Sequence, residues 1–196
     1  MPNFRFMDQL NKTVDFLPLL PVHETLILGW RNSENVAPYM YSDHLITQEE
    51  HNYWFESARI DTPNFLHRLI SANGEPVGLV SITSINYETR SCVWAFYIAS
   101  ENARGSGVGL ITEWWAISQA FEGLDLNRIE CEVLVANTKV IQMHESFGFR
   151  RESYLRERCW KSGIPLDAVG MSLLKSDWQL IRPTIAQKPR IAAYIN

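Results

Sequence analysis

The chain has 196 residues, 46% of them hydrophobic and 12% aromatic, which is enough apolar material for one well-buried core but short for two. The formal net charge is -4 and the two signs are interspersed, so the sequence lacks the electrostatic footprint of a partner for nucleic acid or an anionic membrane surface. No apolar run reaches the ~18 residues that cross a bilayer, and the amino terminus lacks the basic start and apolar stretch of a secretory signal. A single-domain cytoplasmic protein is expected.

In chain order, Val14 to Leu20 reads as a short strand, and Pro21 opens a helix to about Trp30. Thr47, followed three residues later by Glu50, is a capping-box signature for a helix over 48–60. From Phe65 the period changes to that of strands: Phe65 to Ala72, Val77 to Ile85 and Ser91 to Ala99 form an antiparallel meander. A glycine-rich turn at Gly105 to Gly109 leads into a helix to about Phe121, then a strand from Arg128 to Val135 and a helix from Lys139 to Phe147. Two strands, over 150–158 and 166–174, close a domain spanning 1–178. Two prolines and little periodicity make 179–196 an irregular strap or a flexible end. Cys92, Cys131 and Cys159 are odd in number and lack metal-ligand spacing, so they are expected to be reduced core thiols with no metal site.

The chemistry concentrates at Arg104-Gly105-Ser106-Gly107-Val108-Gly109, between a strand and a helix. Glycines there permit positive φ and close approach of a ligand, and the helix start offers unpaired N–H groups and partial positive charge. Such a turn can hold a pyrophosphate, although plain tight turns share the pattern. No Lys-Ser or Lys-Thr follows the glycines, which disfavours a Walker loop. The turn follows a meander rather than opening a parallel unit, which disfavours a Rossmann site.

Arg104, Gly107 and Gly109 resemble the coenzyme A signature of the GNAT acetyltransferase superfamily, and Asn137 opening a helix that ends at Phe147-Gly148-Phe149 resembles that family's second motif. The resemblance covers roughly 14–178 and implies an α/β fold: a mixed, mostly antiparallel sheet flanked by helices, with splayed fourth and fifth strands. It also implies acetyl-CoA as cofactor, its pantetheine on the backbone of Phe96, Tyr97, Ile98 and Ala99 and its pyrophosphate on the amides of Arg104, Gly105, Ser106, Gly107, Val108 and Gly109. Asn137 joins that cofactor set. Where the family usually carries a Tyr as general acid this chain has His144, and where many relatives carry a strand Glu it has none. His144 is therefore the candidate acid, and the candidates for the base are Glu132, His51 or simply bulk water if the amine has a low pKa.

The acceptor-side segment resembles that of the acetyltransferases of pseudaminic acid biosynthesis, which acetylate the 4-amino group of a UDP-linked 4-amino-4,6-dideoxy sugar. That resemblance rests on Trp30-Arg31-Asn32, Tyr39-Met40-Tyr41, Ile46-Thr47 and Glu49-Glu50-His51. Arg31 would meet the diphosphate, and Tyr39, Met40, Tyr41 and His51 the sugar and base. The carboxyl half is also similar to the ribosomal-protein amino-terminal acetyltransferases, so a peptide acceptor is the alternative. A non-catalytic acetyl-CoA-binding protein is the reading outside enzymes. The expected partner is a small-molecule amine, with homodimerisation left open.

Overall fold

The computed structural model describes residues 13–195. It contains one seven-stranded sheet in the order β1-β2-β3-β4-β5-β7-β6. The strands are β1 (Val14–Leu17), β2 (Leu66–Ala72), β3 (Glu75–Asn86), β4 (Ser91–Ile98), β5 (Arg128–Leu134), β6 (Arg150–Lys161) and β7 (Ile164–Leu174). Every neighbouring pair is antiparallel except β4 and β5. The meander and the strands expected on either side of the glycine turn are present, with boundaries within a few residues.

Alternation along the strands sends side chains to two faces. One face carries Ile70, Val80, Ile82, Cys92, Trp94, Ile129, Cys131, Val133 and Met171 into the main core. It is covered by α3 (Val108–Ser118) and α4 (Thr138–Ser146). The other face carries Leu69 and Leu79 into a smaller cluster under α1 (Glu24–Arg31) and α2 (Gln48–Ala58), through Ile27, Phe55 and Ala58. Pro21 starts a single 3-10 turn, Pro21–His23, that runs into α1. Thr47 Oγ1 accepts the Glu50 N–H at 3.2 Å, a cap that contributes ~1 kcal/mol to α2. The three cysteines are buried and unbridged.

The carboxyl end departs from expectation. Instead of an irregular strap, the chain forms α5 (Lys175–Ala186) and α6 (Pro189–Ile195), and a boundary at 178 falls inside α5. Pro183 lies within α5, where it costs a hydrogen bond and ~3 kcal/mol. Trp178, Ile185 and Ile191 are all in the main core, at 1%, 4% and 0% exposure. Each such burial contributes about 1.5–3 kcal/mol, so docking outweighs the proline. Gly148 makes room for this packing: its φ is 91°, and a Cβ there would lie 2.2 Å from Cδ1 of Ile181.

Candidate functional site

The site grows from the one parallel pairing. β4 and β5 are in register only at Ser91 with Arg128, Cys92 with Ile129, and Val93 with Glu130. Beyond that, β4 stays with β3 as far as Ile98 and β5 stays with β7 as far as Leu134, so the two strands part. Their facing backbone edges, from Trp94 on β4 and Cys131 on β5, line a fork open to an extended, amide-bearing ligand.

Just past the end of β4, Glu101–Ala103 makes a 3-10 turn and the chain enters the glycine segment. Gly105 and Gly107 take φ of 70° and 98°, and Gly107 is the N-cap of α3, so the first amides of α3 point out of the helix end. Here the structure separates two arginines. The Arg104 guanidinium donates to the carbonyls of Ile98 (3.0 Å) and Asn35, fastening the end of β4 to the loop before Ala37. Arg190 of α6 instead lies across the turn: a Cβ at Gly107 would fall 2.1 Å from its Cδ. No sequence signal marked Arg190, because the carboxyl end read as irregular. Asn137 is the N-cap of α4 without a side-chain cap bond, its carbonyl accepting from Val140 and Ile141.

Beneath the fork, on the α3/α4 face, His144 is 2% exposed and its Nδ1 lies 2.8 Å from Oε1 of Glu113, itself 0% exposed. Trp94, Phe149 and Phe96 surround the imidazole, with ring centroids at 5.1, 5.3 and 6.5 Å. Burial alone would push the ring toward its neutral form, but Glu113 and the adjacent Cys131 side chain outweigh it and hold the value up to about 10. Burial raises the Glu113 carboxyl as well, against His144. The pair therefore retains its shared proton well above the ordinary imidazole range. Sequence reasoning missed Glu113, although a carboxylate one turn before Ala116 and Ile117 on an apolar helix was a legible signal.

On the opposite face, a cleft of about 370 Å³ opens between α1, α2 and strands β2 to β4. Arg31, Met40 and His51, three of the candidate acceptor residues, line it together with Glu50, Trp54, His67, Ser81 and Tyr97. Arg31 donates to Ser42 Oγ at 3.2 Å, and His51 Nε2 lies 3.0 Å from the Glu24 carbonyl, tying α2 to α1. His67 Nδ1 lies 2.7 Å from Ser81 Oγ on the paired strand. Burial pushes its imidazole down to about 4 despite Asp61 nearby, with Arg68 reinforcing the shift.

Tyr39 is half exposed at the end of a 3-10 turn and does not line this cleft. Tyr41 stands across the fork, where its hydroxyl donates to Glu132 Oε2 at 2.8 Å; Arg158 Nε donates to the same oxygen at 2.7 Å. Partial burial raises the Glu132 carboxyl, but those two donors and the Arg158 charge more than offset it, so its value is lowered. Both donors use Oε2, which leaves Oε1 without a hydrogen bond among the described residues.

Among the described residues the sheet is forked between its one parallel pair of strands, with a glycine-capped helix at the fork's end and a cleft on the far face, an arrangement open to an extended donor on one side and an acceptor on the other. The acetyltransferase (GNAT) family matches residues 28–149, and the chain belongs to that family. It is an N-acetyltransferase that uses acetyl-CoA. Spermidine N(1)-acetyltransferase of Vibrio cholerae is 26% identical over 147 residues, 75% of this chain and 84% of that one. Acetyltransferase PseH of Campylobacter jejuni is 26% identical over 138 residues, 70% and 83% of the two chains. YdaF of Bacillus subtilis, a proposed ribosomal N-acetyltransferase, is 32% identical over 109 residues, 55% of this chain and 58% of its own length. The crystal structure of the Vibrio cholerae spermidine N-acetyltransferase with CoA and spermine superposes with a TM-score of 0.78 at 23% identity, covering 85% of this chain and 98% of that one. No helix among the described residues is long and apolar enough to cross a membrane.

Proposed function

We propose that the acceptor is a primary amine on a small anionic carrier, the 4-amino group of a UDP-linked 4-amino-4,6-dideoxy sugar. The observation that carries this reading is Arg31: its guanidinium lines an otherwise largely apolar and aromatic cleft with, among the described residues, a single carboxylate, Glu50. Glu50 is itself engaged with His44 at 3.0 Å. A diphosphate suits that arrangement, and the rings of Trp54 and Tyr97 offer faces to a sugar or base. The acceptor segment's resemblance to the pseudaminic acid enzymes, and the PseH relative, support the same reading.

In this reading the donor, acetyl-CoA, is a substrate held by the backbone of Phe96 to Ala99 and the amides of Gly105 to Gly109, with Arg190 as the cation for its phosphates. Gly107 fits that role, because any side chain there would collide with Arg190 and fill the cradle. The acceptor amine comes from the cleft face, where Glu132 Oε1 accepts one of its N–H bonds. A carboxylate held ionised by Arg158 is suited to orient the amine rather than to remove its proton. His144 supplies the proton that the departing thiolate needs, and its pairing with Glu113 keeps that proton available at neutral pH.

A polyamine acceptor is the second reading, favoured by the spermidine-acetylating relatives and by Glu50 at the cleft. Thiol release with three acceptors decides among them: the UDP-amino sugar, spermidine, and a peptide beginning with Ser or Ala. The sugar nucleotide is expected to turn over fastest, with UDP inhibiting against it and Arg31→Ala raising KM more than it lowers kcat. Preference for spermidine, with no inhibition by UDP, would replace the first reading by the second, and preference for the peptide would restore the amino-terminal alternative. No release with any amine while acetyl-CoA still binds would leave a non-catalytic binding protein.

A further inference from the structure

The segment 32–47 joins α1 to α2 with little structure of its own: a 3-10 turn at Ala37–Tyr39 and the buried side chain of Val36. A connection that long takes its course from whatever holds it. Its neck is closed by a clasp, in which Asn32 Nδ2 donates to the Ile46 carbonyl and the Ile46 N–H donates to Asn32 Oδ1, both at 2.9 Å. Between these ends the chain crosses the mouth of the fork, tied to the end of β4 on one side and to β5 and the β6–β7 turn on the other. On the β4 side all three guanidinium nitrogens of Arg104 are engaged: Nε with the Ile98 carbonyl at 3.0 Å, Nη1 with Asn35 Oδ1 at 3.3 Å, and Nη2 with the Asn35 carbonyl. On the β5 side the Tyr41 hydroxyl reaches Glu132, and Lys161 Nζ, at the end of β6, donates to the carbonyls of Ala37 (2.9 Å) and Ser42. The next residue adds its backbone, the Ser162 N–H donating to Asp43 Oδ2 at 2.8 Å.

We propose that Arg104 and Lys161 are positioning residues for the acceptor: from opposite sides of the fork they hold the segment 32–47 where it sets Arg31 and Met40 at the cleft. The proposal rests on the reading that the cleft under α1 and α2 receives the amine. Ser42 is where the tie meets the cleft, since Lys161 holds its carbonyl while its hydroxyl accepts from the guanidinium of Arg31. Two residues earlier on the same segment, Met40 lines the cleft itself. Arg104 stands at the glycine turn, beside the amides read as the phosphate cradle, yet its donors are spent on backbone and amide oxygens of the protein. Its side chain therefore acts on the acceptor rather than on the phosphates. Arg104 is exposed and Lys161 is half-buried, so the loss of Lys161 has the larger consequence.

The test measures steady-state kinetics with whichever of the UDP-amino sugar, spermidine and a peptide beginning with Ser turns over fastest, beside acetyl-CoA affinity by calorimetry. Lys161→Met keeps an apolar stem and loses both bonds, and is expected to raise the acceptor KM roughly tenfold while kcat changes less than about twofold. Arg104→Met is expected to raise the acceptor KM roughly three- to fivefold and to leave acetyl-CoA affinity unchanged. Hydrogen exchange should quicken at the amides of 33–45 in both variants. If Lys161→Met does not fold, Lys161→Gln, which keeps an N–H donor, is read in its place. A fall in acetyl-CoA affinity with Arg104→Met at constant acceptor KM would make Arg104 a phosphate ligand and overturn the proposal. An unchanged acceptor KM with Lys161→Met, or equal losses in both ligands with both variants, would overturn it too. Turnover with none of the three acceptors while acetyl-CoA still binds would overturn the acceptor reading of the cleft, and the proposal with it.

Discussion

On the face under α3 and α4, His144 is buried against a carboxylate and holds a proton up to about 10. On the face under α1 and α2, His67 is buried against a serine hydroxyl and refuses a proton down to about 4. The two histidines are 2% and 8% exposed, so burial does not distinguish them. The partner does: an anion within hydrogen-bond reach reverses the sign that desolvation alone imposes. One sheet thus separates a proton-keeping face from a proton-refusing face; in the proposed reaction the first would protonate the leaving thiolate and the second would receive the uncharged amine.

The largest effect comes from breaking the pair on the first face. Glu113→Ala leaves His144 buried beside nothing that balances its charge, and unfolding in urea is expected to show a loss of about 3–5 kcal/mol. The double variant Glu113→Leu with His144→Phe should regain most of that stability, because well-packed apolar groups replace the pair without its desolvation cost. A single variant as stable as the parent would mean that the two groups are not coupled as their 2.8 Å contact indicates.

The pH dependence of stability should then run in opposite directions on the two faces. The folded value of His67 is depressed from its ordinary 6.5 to about 4, so the unfolded chain binds more protons between those limits. Stability is lost as pH falls from about 6.5 toward 4, by about 3 kcal/mol at one unit per 1.36 kcal/mol. For His144 the folded value is raised, so its contribution is complete below the ordinary imidazole value and is lost as pH rises toward about 10. Stability measured against pH should therefore lose its acid limb partly in His67→Phe and its alkaline limb partly in His144→Phe. The same limb flattening in both variants would remove the contrast between the faces.

A smaller effect separates the faces by ligand. Gly107→Trp puts a bulky side chain at φ 98° where even a Cβ meets Arg190, so acetyl-CoA affinity is expected to fall on the order of 10²-fold, ~2.7 kcal/mol. The left-handed backbone adds ~1–3 kcal/mol of strain, so the fold is also weakened. Calorimetry on the folded variant reads the affinity, and UDP binding on the opposite face should be unchanged.

Much of this architecture was legible because local signals were strong. The period change at Phe65 marked the meander, Thr47 and Glu50 marked α2, and two motifs in the right order marked the fork and its glycine turn. What escaped was tertiary. Arg104 and Arg190 are both arginines near a turn, and only the packing of α6 decides which one lies over it. Trp178 and Ile185 stand seven residues apart, a helical spacing, but Pro183 reads locally as a breaker, and the core contacts that outweigh it are not local. Glu113 could be suspected as a buried carboxylate; its partner, 31 residues away on another helix, could not. Met40 and His51 reach the cleft with Arg31, whereas Tyr39 and Tyr41 are turned elsewhere by the loop between α1 and α2, whose course no periodicity encodes.

The smallest expected effect concerns α1, which helps to wall the acceptor cleft. Gly29 lies on the exposed side of this helix, in its last turn, and a Cβ there meets nothing within 4 Å. A glycine in that setting costs ~0.5–1 kcal/mol relative to alanine through the freedom it gives the unfolded chain, with no packing return in the folded one. Gly29→Ala is therefore expected to stabilise the protein by that amount in thermal unfolding, without changing acetyl-CoA affinity, which in the proposed reading belongs to the fork and the glycine turn. The informative readout is KM for the acceptor. If it is unchanged, the cleft is preformed and α1 acts as a rigid wall. A rise in acceptor KM at constant acetyl-CoA affinity would mean that α1 bends at Gly29 to admit the amine, and the contrast between the two faces would then extend from charge to mobility: a packed donor face against an acceptor face that opens.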